Sequence, residues 1–133
     1  MERTYTRPLL DKLGVRPASR VALVGLEDAG FQGQLAERTD DITVGDPLPE
    51  TDLVFFAADG ADELFELTRL EPRLRSNGAI WVVSRKGKRA TLRDVDVIDA
   101  AESAGLVDNK VVSFSETHTA LRLVIPLARR ARR

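Results

Sequence analysis

The chain has 133 residues, with 20 basic and 21 acidic side chains and a formal net charge of −1. Hydrophobic residues make up 43% and charged residues 31%, which is typical of one globular domain and excludes wholesale disorder and collagen. The absence of cysteine excludes disulfides, cysteine zinc sites and cysteine nucleophiles. Since the N-terminus lacks a signal-peptide core and no apolar run reaches the roughly 18–20 residues of a membrane span, we expect a cytoplasmic protein with no membrane partner.

The two halves of the chain carry opposite charge. Residues 1–67 have 6 basic and 14 acidic side chains, whereas residues 68–133 have 14 basic and 7 acidic ones. Such polarity is typical of an anion-binding face or of head-to-tail association, and it also arises when two halves of one fold balance each other. The sequence leaves these alternatives, and the oligomeric state, open.

Short apolar runs alternate with helical segments in the first half of the chain. Pro8 suits a first helical turn and Gly14 suits the position after a helix. The apolar run that ends at Gly25 is typical of a buried parallel strand, and Asp28 after it is typical of a helix N-cap. The predicted elements are a helix over 8–14, a strand over 20–25, a helix from 28 to about 37, a weak strand over 42–44 and a strong strand over 52–58.

The second half predicts two more helices and a closing hairpin. Leucines recur at helical spacing from Leu64 to Leu74, and Pro72 should kink or end that helix. Two apolar runs around a polar stretch predict an antiparallel hairpin. The predicted elements are a helix over 62–74, a turn over 76–78, a strand over 79–84, a basic loop over 85–90, a helix from 93 to about 104, strands over 110–115 and 120–126, and a frayed basic tail over 128–133.

Strands that alternate with helices predict an α/β fold. We expect a three-layer Rossmann-like domain over residues 1–127, including the first helix, with a mostly parallel sheet and a C-terminal antiparallel hairpin. Ligands of such sheets bind beyond the carboxyl ends of the strands. Loops 25–30, 57–60 and 84–89 should therefore meet at the site.

Several segments resemble the class I methyltransferases. Residues 52–56 resemble their Asp-led fourth strand, residues 74–82 resemble their fifth strand, and the last two strands resemble their terminal hairpin. The resemblance implies that strand 120–126 lies beside the Trp81 strand, with strand 110–115 outermost. Only 27 positions separate Gly25 from Asp52, which is room for one helix and one strand where a full methyltransferase has two such steps.

Nearly the whole chain resembles a family of small uncharacterised bacterial proteins. The segments that carry this resemblance are the opening over 13–25, Gly-Ala-Ile-Trp-Val at 78–82, Lys86, Gly-Leu-Val-Asp-Asn-Lys-Val at 105–111, and residues 115–124. Ala18, Ser115 and His118 depart from the family pattern, which has Gly, Asp and Trp there. The resemblance implies a fold rather than a reaction.

Acidic side chains dominate the first two loops of the expected site. Glu27 and Asp28 lie where a dinucleotide loop would hold an anion, so this loop is a poor phosphate site. The methyltransferase resemblance implies a positively charged adenosyl cofactor, with Asp46 on the ribose hydroxyls, although Asp-Pro is also a common turn opener. The ligand-binding candidates are Gly25, Glu27, Asp46, Asp59, Ser84 and Lys86.

A second candidate site is the basic loop, which could hold a phosphate or an RNA backbone or could be a solvated loop. Its candidates are Arg85, Lys86, Lys88 and Arg89, and four arginines at 129–133 follow in the tail. The spacing of Asp94, Asp96 and Asp99 favours helix capping over a metal site. The lone His118, at a predicted hairpin tip, lacks partners for a catalytic or metal cluster, so we predict neither catalytic residues nor a metal.

Three functional hypotheses follow. The first is a non-catalytic binding or interaction domain without a cofactor, whose partner is a protein or a small ligand. The second is a small S-adenosylmethionine-dependent methyltransferase that uses the acidic loops. The third is weak nucleic-acid or anion binding through residues 85–89.

Overall fold

A computed structural model describes residues 8–131, and the expectations for residues 1–7, 132 and 133 lie outside this range. The described chain forms one mixed sheet with helices on both faces. The helices are α1 (Leu9–Leu13), α2 (Ala29–Arg38), α3 (Glu66–Leu70), α4 (Asp94–Ser103) and α5 (Leu127–Arg130). The strands are β1 (Val21–Val24), β2 (Ile42–Val44), β3 (Thr51–Ala57), β4 (Leu74–Arg85), β5 (Val107–Ser113) and β6 (His118–Val124). No helix among residues 8–131 combines the length and the apolar character that crossing a bilayer requires.

The six strands lie in the order β2-β1-β3-β4-β6-β5. β1 pairs in parallel with β2 and β3, and β3 pairs in parallel with β4. β6 runs antiparallel to both β4 and β5, so Trp81 lies opposite Arg122. The predicted mostly parallel sheet and the predicted order of the closing hairpin are confirmed.

The core lies on both faces of this sheet because alternate strand residues point to opposite sides. Leu23, Phe55 and Trp81 face α1 and α2. Ala22, Val54 and other strand residues on the opposite face pack against α3 and α4. This arrangement is the expected three-layer fold.

The start of α2 supplies a stability prediction. The Asp28 carboxylate accepts a hydrogen bond from the backbone N–H of Phe31 at 3.0 Å, which confirms the predicted N-cap. Asp28→Ala leaves that donor unpaired, so we expect the free energy of unfolding to fall by about 1 kcal/mol in urea titrations. Asp28→Asn is the matched control, since an amide oxygen also caps; an equal loss in that variant would contradict the capping role.

The segment from 61 to 78 differs from the prediction. Instead of one long helix, residues 61–65 form a 3-10 turn that is followed by α3 and by a second 3-10 turn over residues 71–73. Pro72 lies in the second turn, and it has no backbone N–H with which to continue an α-helix. Leu74 already belongs to β4, where it pairs with Thr51. The predicted separate turn at 76–78 is therefore wrong: these residues lie within β4, at a bulge between the Leu74–Thr51 pair and the Ala79–Leu53 pair.

The predicted frayed tail is also wrong for the residues described. Residues 127–130 form α5. The Arg129 guanidinium donates to the Gly105 carbonyl and lies 3.5 Å from a Glu71 carboxylate oxygen, while Arg130 Nε donates to the Ile125 carbonyl at 2.8 Å. These contacts hold α5 on the body of the domain.

Candidate functional site

The predicted site residues lie on loops at the carboxyl ends of the parallel strands. Gly25 directly follows β1, and its φ of 72° lies in the left-handed region that glycine adopts without strain. A Cβ atom at Gly25 would lie 3.5 Å from the Ala57 carbonyl oxygen at the end of β3. The structure thus brings the first two predicted loops together.

Asp46 is held by an arginine. Its carboxylate accepts a hydrogen bond from Arg69 at 2.7 Å, and Arg69 also binds Glu66 at 2.6 Å. These bonds, first to Glu66 and then to Asp46, raise the pKa of the Arg69 guanidinium above its usual value. The Asp46 side chain is 80% exposed, so the pair lies at the surface rather than around an enclosed ribose site.

Asp59 is also paired with a cation. Its carboxylate lies 3.7 Å from Arg85 Nε, which joins the loop after β3 to the end of β4. The Glu63 carboxylate closes the same loop, because it accepts hydrogen bonds from the backbone N–H groups of Asp59 at 2.7 Å and Gly60 at 3.0 Å. Glu63 was not among the predicted site residues, although an acid three residues after the cap glycine Gly60 is the spacing of a capping box.

The remaining candidates do not converge on one point. Lys86 Nζ donates to Ser113 Oγ at 2.7 Å, so Lys86 is tied to the closing hairpin. Ser84 is buried in β4, and Glu27 is exposed. Lys88 and Arg89 are exposed in a 3-10 turn, and the role predicted for the basic loop stays a prediction.

The acidic run at 94–99 and the lone histidine have local partners. Asp96 accepts a hydrogen bond from the Arg93 backbone N–H at 3.0 Å, and the Arg93 side chain holds the pKa of this carboxyl below its usual value. His118 is the first residue of β6 rather than the hairpin tip, and its Nδ1 lies 2.7 Å from Thr117 Oγ1. Within residues 8–131, no group of histidines and acids is arranged to bind a metal ion.

A groove of about 810 Å³ lies at the other edge of the sheet, at the amino ends of the parallel strands. It runs between α1, the loop that precedes β1, and the antiparallel hairpin. Five basic side chains line it, and none of them was a predicted site residue: Lys12, Arg16, Arg75, Lys110 and Arg122. One feature of the sequence could have indicated this groove: Arg122 is a charged residue inside the otherwise apolar run Leu121-Arg122-Leu123-Val124.

Several solved structures similar to this chain are methyltransferases. An S-adenosylmethionine-dependent methyltransferase from Aquifex aeolicus aligns with a TM-score of 0.68 and 14% identity over 89% of this chain and 88% of the other. A TehB-like enzyme of the same class from Corynebacterium glutamicum aligns with a TM-score of 0.65 and 16% identity over 89% and 85%. Human N-acetylserotonin methyltransferase, solved with S-adenosylmethionine, aligns with a TM-score of 0.59 and 14% identity over 79% and 47%. At these identities the likeness establishes the fold alone.

Sequence similarity points to one family. No curated protein matches the chain significantly. The sequence profile of a family described as protein of unknown function (DUF3052) matches residues 18–127, which is most of the chain. The chain therefore belongs to the DUF3052 family and has a methyltransferase-like Rossmann fold.

Proposed function

We propose that this protein is a non-catalytic binding domain that keeps the methyltransferase-like fold without a working adenosyl-cofactor site. The main support is the pairing of the acids at the carboxyl edge: Asp46 binds Arg69 at 2.7 Å and Asp59 lies 3.7 Å from Arg85. A carboxylate that already accepts a charge-assisted bond has less to gain from ribose hydroxyls or an amino group.

The connection between β2 and β3 gives a second argument. Residues 45–50 join these strands without a helix, and β2 is the last strand at that side of the sheet. One strand and one helix of a full methyltransferase layout are thus absent between Val44 and Thr51, where they would complete the cofactor pocket.

Thermal unfolding with S-adenosylmethionine and S-adenosylhomocysteine tests this proposal. A ligand at 100 times its dissociation constant stabilises a protein by about 2.7 kcal/mol, which raises the melting temperature of a domain of this size by several degrees. We expect no shift with either compound at millimolar concentration.

Matched variants show which part of the protein is responsible for any shift in melting temperature. A shift with both compounds that is lost in Asp46→Asn, but kept in Asp40→Asn on a neighbouring exposed loop, would contradict the proposal and favour the methyltransferase hypothesis. A shift with a short RNA that survives physiological salt and is lost in Lys88→Gln would instead favour the basic loop as the binding surface.

A further inference from the structure

The groove at the amino edge of the parallel strands carries an excess of positive charge. Two acids also line it, and both are paired: Asp11 with Arg38 at 3.0 Å and Asp52 with Arg75 at 3.1 Å. Among the residues that the structure describes, no acid forms an ion pair with the other basic side chains of the groove. Within residues 8–131, the side chains of Lys12, Arg16 and Arg122 make no hydrogen bond or ion pair.

Arg122 is the most unusual of these cations. It lies in the middle of β6, on the sheet face where its neighbours Ala120 and Val124 are buried in the apolar core. The guanidinium is half-buried, and both this burial and the charge of Arg130 lower its pKa from the usual value. A partly desolvated arginine that no acid in the described part of the chain neutralises destabilises the folded domain unless an anion compensates for it.

The strand register places a second cation beside Arg122. Lys110 on β5 is directly opposite Arg122 on β6, and like charges in such a cross-strand position repel each other. The register shifts between Asp108 and Lys110, which is the kind of irregularity that redirects a side chain. Lys110 Nζ also donates a hydrogen bond to the Lys12 carbonyl at 3.1 Å, so Lys110 connects β5 to α1 at the groove.

We propose that this groove binds a small molecule that carries a phosphate group, with Arg122 as the main anion ligand and Lys12, Arg16 and Lys110 around it. A guanidinium offers two parallel N–H donors to a phosphate, and the neighbouring amines add charge. The proposal goes beyond the function proposed above, because it concerns the opposite edge of the sheet and holds whether or not an adenosyl compound binds at the carboxyl edge.

The shape of the site favours a small molecule over a nucleic-acid strand. A volume of about 810 Å³ falls within the 300–1,000 Å³ typical of small-molecule sites. The Arg122 guanidinium is half-buried in a groove that α1 also lines, rather than on an exposed ridge. Among the described residues that line the groove, Trp81 is the only aromatic one and it is buried, so this lining offers no stacking surface for successive bases.

The single tryptophan is a built-in reporter for the test. Trp81 Nε1 donates to the Leu13 carbonyl at 3.1 Å, and both residues line the groove. The full-length protein, labelled with ¹⁵N, would be titrated with pyrophosphate, ADP and adenosine at physiological salt. We expect the Trp81 indole signal to shift and saturate with pyrophosphate and ADP, but not with adenosine.

Two arginine variants separate binding from general charge. We expect Arg122→Met to weaken ADP binding by at least about tenfold, since a hydrogen-bonded charge is lost, while its melting temperature rises because the repulsion with Lys110 is removed. Arg73→Met, with the same change of charge at an exposed arginine outside the groove, should bind normally. A purely structural Arg122 would instead lower the melting temperature when replaced.

Three results would overturn this proposal. The first is an indole signal that does not move with millimolar pyrophosphate or ADP. The second is an Arg122→Met variant that binds ADP within twofold of the original protein, or no more weakly than Arg73→Met. The third is a stronger response to a single-stranded RNA than to ADP at equal phosphate concentration, which would assign the groove to a polymer. None of these readouts depends on S-adenosylmethionine, so this proposal and the preceding one can fail separately.

Discussion

Trp81→Ala should destabilise the domain more than the loss of the Asp28 cap. The indole is fully buried in the centre of β4, between Phe55 on β3 and Arg122 on β6. Truncation removes a large apolar surface, leaves a cavity and removes the indole donor to the Leu13 carbonyl. We expect the free energy of unfolding to fall by about 3–5 kcal/mol, a large part of the 5–15 kcal/mol typical of a domain.

Urea unfolding followed by far-ultraviolet circular dichroism would measure this loss without relying on tryptophan fluorescence. Trp81→Phe is the matched control, because it keeps an aromatic ring and loses the hydrogen bond, and it should cost less than the alanine variant. Amide hydrogen exchange in α1 should accelerate in both variants, since the indole is bonded to the last residue of that helix. A loss below about 1 kcal/mol in Trp81→Ala would contradict this role for the indole in the core.

Gly78→Ala should also destabilise the domain, for the opposite reason. A Cβ atom at this position would lie 2.8 Å from the Asp52 carbonyl oxygen and 2.9 Å from the Thr51 carbonyl oxygen. Both contacts are with backbone, which cannot rotate away as a side chain can. We expect a loss of about 1–3 kcal/mol, with β3 and β4 forced apart where their register shifts.

The matched control is Gly33→Ala in the exposed middle of α2. A Cβ atom at Gly33 meets nothing within 4 Å, and alanine is the better helix former. This variant should gain roughly 0.5–1 kcal/mol in the same urea titrations. The interpretation of Gly78 would be wrong if both glycine variants changed stability in the same direction.

The Gly78 and Trp81 predictions concern the same edge of the sheet as the basic groove. Asp52, Asn77 and Trp81 all line that groove, so its walls depend on the packing that these substitutions disturb. Phosphate-binding measurements on Gly78→Ala should therefore show weaker binding even under conditions where the variant is folded. Arg122→Met, by contrast, should separate binding from stability, because it removes the charge and keeps a long side chain in its place.

The order of elements and the sheet layout could be predicted from the sequence. Short apolar runs such as residues 52–58, alternating with helical segments, are local patterns, and the right-handed connection rule leaves few arrangements. The Asp28 cap and the end of α1 at Gly14 are likewise decided by residues close in sequence. The family resemblance carried by residues 105–124 was confirmed by a match over 18–127.

The predictions for residues 76–78 and for the C-terminal tail were wrong because contacts between distant residues outweighed the local conformational preference of these segments. Ser76-Asn77-Gly78 has the composition of a turn, yet it forms a bulge within β4, because Leu74 before it and Ala79 after it both pair with β3. The basic residues near the C-terminus resemble a solvated tail, yet Arg129 reaches Gly105 and Glu71. In both cases, the deciding contact joins segments more than 20 residues apart, which no local pattern contains.

For the candidate site, too, some features could be predicted from the sequence and others required the folded structure. Residue patterns were enough to predict the fold class, the position of the loops after β1, β3 and β4, and the residue types that these loops carry. The folded chain was needed to find that Asp46 and Asp59 are paired with Arg69 and Arg85. It was also needed to find that Lys110 and Arg122 lie opposite each other in a groove that α1 lines. The physical reason is that electrostatic interactions depend on distance in space rather than in sequence. Folding brings neighbours from distant parts of the chain, and these neighbours decide whether a carboxylate is neutralised or a guanidinium lacks an anion.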